Sequence, residues 1–151
     1  GVFSNNKWDT QRLGEIVDVT TGPFGSMLHK ADYVSKGIPI INPQDIKSGT
    51  ICPSTFVSLE TANRLQAYAL NTGDIVIGRR GEMGRCAVIG SDQNRWLCGT
   101  GCFILRKSAK LFPDYFAMFL RSSNSVSFLR GNSVGSTMDN LNHKILKALP
   151  V

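Results

Sequence analysis

Apolar and polar positions in the first half of the chain predict short elements joined by glycine and proline turns. Leu13, Ile16 and Val17 fit one helical turn, which runs into a strand near Val19. A second β-type run over residues 37–42 must end or lie at a sheet edge at Pro43, because proline has no N–H to donate to a neighbouring strand.

Residues 54–73 predict a helix in the middle of the chain. Ser58 is a suitable N-cap, and Asn71, Thr72 and Gly73 supply an end signal. Four apolar residues recur every three or four positions and predict the buried face of this helix: Leu59, Ala62, Leu65 and Ala69.

The next segments predict a β-hairpin and then more strand. Residues 73–90 hold two apolar runs, 75–77 and 87–89, on either side of a tip rich in glycine and arginine. Residues 95–107 predict one or two further strands, interrupted at glycines 99 and 101.

The last third of the chain is predicted to be mostly helical. Residues 112–131 begin with Pro113 in a first turn, and residues 139–151 predict a helix with Asp139 as N-cap. Helical spacing assigns seven side chains of these two segments to the core: Phe112, Phe116, Phe119, Leu120, Leu141, Ile145 and Leu149.

Strands and helices therefore follow one another without a regular βαβα alternation. This pattern favours an α+β fold with a curved or barrel-like, mostly antiparallel sheet and peripheral helices. A length of 151 residues suits a single domain that can bury its own core. The sequence has no membrane-spanning apolar run and no targeting segment, so we expect a cytoplasmic protein with no membrane contact.

The four cysteines, Cys52, Cys86, Cys98 and Cys102, are irregularly spaced. Their spacing is not that of a usual zinc site, and the two histidines lie far from them in sequence. We expect reduced thiols that behave as small apolar side chains, with disulfides or a metal site as the weaker alternatives.

Positive charge is concentrated in one stretch of the chain. The net charge of the whole chain is +6, and residues 75–138 carry nine basic and three acidic side chains, so the entire excess lies there. Most of these basic residues are arginines, which suit bidentate contacts with phosphate or guanine. A solvated basic face with no partner is the equally simple interpretation.

Enzyme motifs are missing from the sequence. No Gly-x-Ser-x-Gly, His-Glu-x-x-His or phosphate-loop pattern is present, and the glycines of residues 78–84 join strand to strand rather than strand to helix. We therefore expect no catalytic residue, cofactor or metal in this chain. A β-rich hydrolase with Cys98 or Ser136 as nucleophile remains an alternative, which requires a histidine within hydrogen-bond reach of one of them.

Three glycine-containing loops carry hydroxyl, amide or guanidinium groups: TTGPFGSM (20–27), GRRGEMGR (78–85) and GNSVGSTM (131–138). Glycine lets a backbone approach a ligand closely, and such side chains can contact phosphates and base edges. Any one of these loops could equally be a simple turn.

Several short segments, in this order, resemble one known family. They are LGEI (13–16) with the glycine loop after it, GIP (37–39) with DI (45–46), GDI (73–75) with glycines 81 and 84, and ST (136–137) with LN (141–142). Together they resemble a target recognition domain of the DNA specificity subunit of type I restriction–modification enzymes.

The resemblance implies that residues 1–151 form one target recognition domain, isolated or truncated before the long helix that follows in the family. Such a domain reads one half of a split double-stranded DNA target. Catalysis belongs to the methyltransferase and restriction subunits, which would be the protein partners.

Mapped onto this sequence, the resemblance and the loop chemistry predict a DNA face built from four loops, at residues 22–26, 42–44, 79–85 and 133–137. Its candidate residues are Thr21, Phe24, Ser26, Asn42, Gln44, Arg79, Arg80, Met83, Arg85, Ser133, Ser136 and Thr137. A recognition domain of a related methyltransferase or fused restriction enzyme is the nearest alternative. A protein-interaction module with an incidental basic face is a more distant one.

Overall fold

A computed structural model describes residues 11–132 and 141–151. The helices are α1 (Leu13–Ile16), α2 (Leu59–Arg64), α3 (Pro113–Leu120), α4 (Ser123–Asn132) and α5 (His143–Lys147). The strands are β1 (Val19–Thr21), β2 (Tyr33–Val34), β3 (Ile38–Ile41), β4 (Ile46–Lys47), β5 (Thr50–Ile51), β6 (Phe56–Val57), β7 (Ile75–Gly78), β8 (Cys86–Val88), β9 (Leu97–Cys98) and β10 (Cys102–Leu105).

One four-stranded antiparallel sheet carries the predicted hairpin. Its strand order is β1-β10-β7-β8, with Phe103 opposite Ile77 and Ile77 opposite Cys86. All residues of β7 and β10 are buried, because helices α3, α4 and α5 cover one face of the sheet and the other strands cover the second. Fully buried strands read as continuous apolar runs, which is why the hairpin was visible in the sequence.

A second four-stranded sheet has the order β2-β6-β3-β9, and β4 pairs with β5 as a separate ribbon. Pairing is antiparallel except between β3 and β9, which run parallel. The α+β class and the mostly antiparallel sheet are confirmed. The described strands form two sheets and a ribbon rather than a closed barrel.

A buried ion pair fixes the base of the hairpin. Asp74, only 2% exposed, accepts hydrogen bonds from the backbone N–H groups of Asn71 (2.9 Å) and Lys107 (2.8 Å). Its carboxylate also pairs with Arg106 at 2.9 Å, and Arg106 donates to the carbonyl of Ala69. Because every group in this network has a partner, the charges can be buried without a large cost.

The predicted helix over residues 54–73 is shorter than expected. Ser58 is its N-cap, as predicted, and accepts from Thr61 N–H at 3.2 Å. However, Phe56 and Val57 lie in β6, and α2 ends at Arg64 before a 3₁₀ turn over Gln66–Tyr68. Leu59, assigned to the core, is 66% exposed because it lies in the first turn.

The C-terminal helices also differ from the prediction in detail. Residues 112–131 form two helices separated at residues 121–122, and Phe112 is 82% exposed as the residue that precedes α3. Phe116, Leu120, Leu141 and Leu149 are buried as expected. Helix α5 begins at His143, where Asn142 rather than Asp139 is the N-cap and accepts from Ile145 N–H at 2.8 Å.

Candidate nucleic-acid interface

The tip of the β7–β8 hairpin, residues 79–85, is held at its base by two other segments. Gly78 N–H donates to the carbonyl of Arg85 at 2.9 Å, which closes the tip. Arg79 N–H donates to Gly101 O at 2.9 Å, and Arg79 O accepts from Leu141 N–H at 2.6 Å. Backbone hydrogen bonds therefore fix the base of the hairpin tip to the turn before β10 and to the segment before α5.

The side chain of Arg79 packs against Phe103 on β10. Its guanidinium carbon lies 5.1 Å from the centroid of the Phe103 ring, a cation–π contact, and its Nε is buried without a hydrogen-bond partner in the described residues. Burial lowers the pKa of the Arg79 guanidinium, and the like charge of Arg80 lowers it further. Arg79 is thus held against the sheet and presents only part of its side chain to solvent.

Arg85 is also held by contacts within the protein. Its Nη1 donates to the carbonyl of Pro43 at 3.0 Å, and its Nε pairs with Glu82 at 3.4 Å. The ion pair across the tip therefore joins Glu82 to Arg85. Since Pro43 precedes Arg85 by 42 residues, this bond fixes the tip against a distant turn.

Arg80 is exposed and lines a surface hollow of about 290 Å³. We call this the Arg80 hollow. Three of the four predicted loops contribute to it, together with the turn between β9 and β10. It is lined by Gly25, Leu28, Tyr33, Asn42, Pro43, Gln44, Arg80, Thr100 and Gly101.

Glycines allow the loops around the Arg80 hollow to pack closely against one another. A Cβ on Gly22 would lie 2.0 Å from Gly99 O, and a Cβ on Gly99 would lie 2.3 Å from Asn42 Oδ1. A Cβ on Gly101 would lie 2.8 Å from Pro43 Cδ. These positions have no room for a side chain, so glycine is required for the loops to meet.

The turn at residues 42–45 is held from beneath by a buried carboxylate. Asp45, 2% exposed, accepts from Asn42 N–H at 2.9 Å and from Ser54 Oγ at 2.5 Å. The Asn42 amide in turn donates to Thr55 Oγ1 at 3.3 Å. Asn42 is therefore oriented by the protein, and Gln44 projects from the same turn as an exposed amide.

The remaining predicted residues divide into three groups. Phe24, 74% exposed, and the exposed Ser26 lie on the loop that contributes Gly25 to the hollow, and Thr21 is half-buried at the end of β1. Met83 is only 1% exposed and packs in the core, so its side chain has almost no surface to offer a ligand. Ser133, Ser136 and Thr137 lie outside the described residues.

Four lining residues lie outside the loops predicted from the sequence: Leu28, Tyr33, Thr100 and Gly101. A signal existed for Thr100, because the two glycines around it interrupt an apolar run. Leu28 and Tyr33 follow the first glycine loop and carry no pattern of their own. The position of Tyr33 depends on the pairing of β2 with β6, which joins residues 33–34 to residues 56–57.

The environments of Cys98 and His143 do not support the hydrolase alternative at Cys98, and its other candidate nucleophile, Ser136, lies outside the described residues. Burial raises the pKa of the Cys98 thiol to about 12, and its Sγ lies 3.5 Å from Gly99 O. Nε2 of His143 lies 2.9 Å from Val19 O instead. A buried protonated thiol is not a nucleophile.

All four cysteines are free thiols, so none forms the disulfide weighed as an alternative. Over residues 11–132 and 141–151, no cluster of three or more His, Cys, Asp or Glu side chains could hold a metal ion. In the same ranges no helix combines the length and apolar character needed to span a membrane.

The family of type I restriction modification DNA specificity domains matches residues 5–151, nearly the whole chain. The chain belongs to this family. The family match confirms the resemblance found in the sequence, and with it the role of a DNA specificity domain. A search of curated proteins gives no match.

Three solved structures share the fold of this DNA specificity domain. A chain from a study of complex assembly and conformational transition of the type I R-M system is 20% identical, with a TM-score of 0.68 over 95% of this chain and 33% of its own length. The type I restriction-modification system S subunit from M. genitalium is 16% identical, with a TM-score of 0.63 over 97% of this chain and 34% of its own. The HsdS subunit from Thermoanaerobacter tengcongensis is 18% identical, with a TM-score of 0.57 over 94% and 36%. This chain spans about a third of the length of each.

Proposed function

We propose that this specificity domain binds double-stranded DNA and reads one half of a bipartite target at the Arg80 hollow. The observation that carries the proposal is the convergence of three loops, predicted separately from the sequence, on one hollow beside an exposed arginine. Arginine is the side chain that most often reads guanine, through its O6 and N7 atoms in the major groove.

The three arginines of the tip then have different roles. Arg80 reads a base edge, because it is exposed and borders the hollow. Arg79 and Arg85 position the tip, since Phe103 and Pro43 hold their side chains. Gln44 supplies an exposed amide that can pair with adenine. Phe24 and Ser26 flank Gly25, which lines the same hollow, and are available for further contacts.

The protein partners are the methyltransferase and restriction subunits of the same system. Support comes from the family of the chain and from its likeness to S subunits, each about three times longer than the segment matched. In this assignment the chain supplies the choice of DNA sequence, and the partner subunits supply the chemistry.

Selection from a randomised duplex library tests the proposal. Purified chain should enrich one short motif over bulk sequence, and the same motif should form one half of the site methylated in cells that carry the complete system. Arg80→Gln should lose the preference at one base pair of the motif. Enrichment of no motif by the chain, and also by the assembled complex, would contradict sequence reading.

The proposal also predicts that the chain alone performs neither methylation nor cleavage. Incubation of the purified chain with S-adenosylmethionine and mixed-sequence DNA should transfer no methyl groups and leave the duplex intact. Turnover that remains proportional to the chain through further purification would show an activity that this assignment excludes.

A further inference from the structure

A second hollow of about 290 Å³ lies beside the hairpin tip, between the tip and helices α3 and α4. We call it the Arg121 hollow. Three arginines and one glutamate contribute to its walls, which gives the lining a formal charge of +2. It is lined by Ser48, Gly49, Glu82, Met83, Gly84, Arg85, Cys86, Arg121, Val126 and Arg130.

Specific backbone geometry builds the wall around Arg121. Ser48 and Gly49, with φ of +50° and +82°, turn the chain between β4 and β5 in the left-handed region. A Cβ on Gly49 would lie only 3.4 Å from Arg121 Nη1, so the turn closes against the guanidinium. Arg121 Nη1 also lies 3.4 Å from Cys86 O on β8. Arg121 thus lies against the β4–β5 turn and against β8, while the residue remains exposed.

Arg85 connects the two hollows. The residue lines the Arg121 hollow, while its Nη1 donates to the carbonyl of Pro43, which lines the Arg80 hollow. The hollows are therefore neighbours that share the hairpin tip.

The geometry of DNA explains why a base-reading site and a phosphate site should lie side by side. The major groove is about 12 Å wide, and its two walls are phosphate backbones. A protein surface that reads base edges at the floor of the groove must therefore meet phosphates beside it. Contacts of that kind fix the register of the protein on the duplex, and arginine favours them through bidentate hydrogen bonds.

We infer that the Arg121 hollow binds a backbone phosphate of the same duplex whose bases are read at the Arg80 hollow. This inference rests on the proposed function. It assigns Arg121 and Arg130 to phosphate contacts that do not depend on DNA sequence, and Arg80 to a contact with a base edge. The phosphate contact would anchor the tip, so that Arg80 meets the same base pair in every complex.

The test measures the salt dependence of duplex binding by the purified chain and by two variants, Arg121→Gln and Arg130→Gln. Each variant should lower the slope of log affinity against log salt by about one unit and weaken all sequences alike. Arg121→Lys, which keeps the charge, should retain most of the slope. Lys110→Gln is the matched control, because Lys110 lies beside Asp18 and Ser108 at a different part of the surface.

Several outcomes would overturn the inference. Unchanged slopes in both variants, with a salt-sensitive wild-type chain, would reject the phosphate site and leave the proposed function intact. A change of base preference in Arg121→Gln would make Arg121 a reading residue instead. Wild-type binding that does not respond to salt would reject both proposals together.

A final arm distinguishes a DNA phosphate from a free one. Inorganic phosphate alone, at constant ionic strength, should not raise the melting temperature of the wild-type chain more than that of Arg121→Gln. A phosphate-dependent rise seen only in the wild type, with an unchanged DNA salt slope, would identify a small-anion site and overturn the inference. Circular dichroism of each variant verifies the fold, and Arg130→Gln on the exposed face of α4 carries the test if Arg121→Gln unfolds.

Discussion

The two halves of the hairpin tip contain the same kinds of residue but have opposite surroundings. In the first half, Arg80 and Gly81 are exposed, and apart from Gly81 and its chain neighbours no atom of the described residues lies within 4 Å of the position that a Cβ on Gly81 would take. In the second half, Met83 and Gly84 are buried, and Arg85 is bonded to Pro43. Packing against α3 and α4, rather than residue type, therefore decides which half of the tip is exposed.

The two glycines of the tip, Gly81 and Gly84, have different structural roles. Both Gly81 and Gly84 have a positive φ, +76° and +83°, so both make the turn. Only Gly84 also makes room for a neighbour, because a Cβ there would lie 2.7 Å from Leu120 O. Gly84 is thus part of the core packing, and Gly81 leaves the first half of the tip open to solvent.

Substitution of Met83 should have the largest effect on stability. Met83→Ala removes a buried side chain from the core cluster that also contains Phe116 and Leu120, and it should lower the free energy of unfolding by about 2–5 kcal/mol. Met118→Ala is the matched control, because Met118 is 64% exposed on α3 and its loss should change stability by no more than about 0.5 kcal/mol. Urea unfolding of both variants checks the difference, and equal effects would contradict the burial of the second half.

The two glycines should differ by a smaller amount. Gly81→Ala should cost about 1–2 kcal/mol, the strain of an L-residue in the left-handed region. Gly84→Ala adds contacts with Leu120 O and Val126 Cγ2, so a further cost of about 1–3 kcal/mol is expected from overpacking. The same unfolding measurement compares them. A Gly81 variant that is as unstable as the Gly84 variant would mean that the whole tip is packed.

Local patterns predicted the elements that depend on nearby residues. The Ser58 cap and the two hairpin strands lie where the sequence places them, because a cap hydrogen bond spans three residues and a hairpin joins neighbouring segments. The helix over residues 54–73 was predicted too long, since Phe56 and Val57 pair with β2 and β3, about 20 residues earlier in the chain.

The site was predicted less completely for the same physical reason. The loops could be recognised by their glycines and polar side chains, but whether each arginine is exposed or held depends on residues far away in the sequence. Arg79 lies over Phe103, and Arg85 reaches Pro43. Met83 was assigned to the DNA face because it lies between glycines in the tip, and only the packing of α3 and α4 shows that it is buried.

The central claim is that Arg80 alone of the three tip arginines reads a base. Arg79→Ala, Arg80→Ala and Arg85→Ala are made separately in the assembled restriction–modification enzyme, and each is assayed on the cognate site and on every single-base variant. Arg80→Ala should lose about 1–3 kcal/mol of binding on the cognate site and relax the preference at one base pair. Arg79→Ala and Arg85→Ala should weaken all sequences alike, because they loosen the tip without removing a base contact. Equal losses for all three variants on every sequence would contradict the claim and show that the tip grips DNA without reading it.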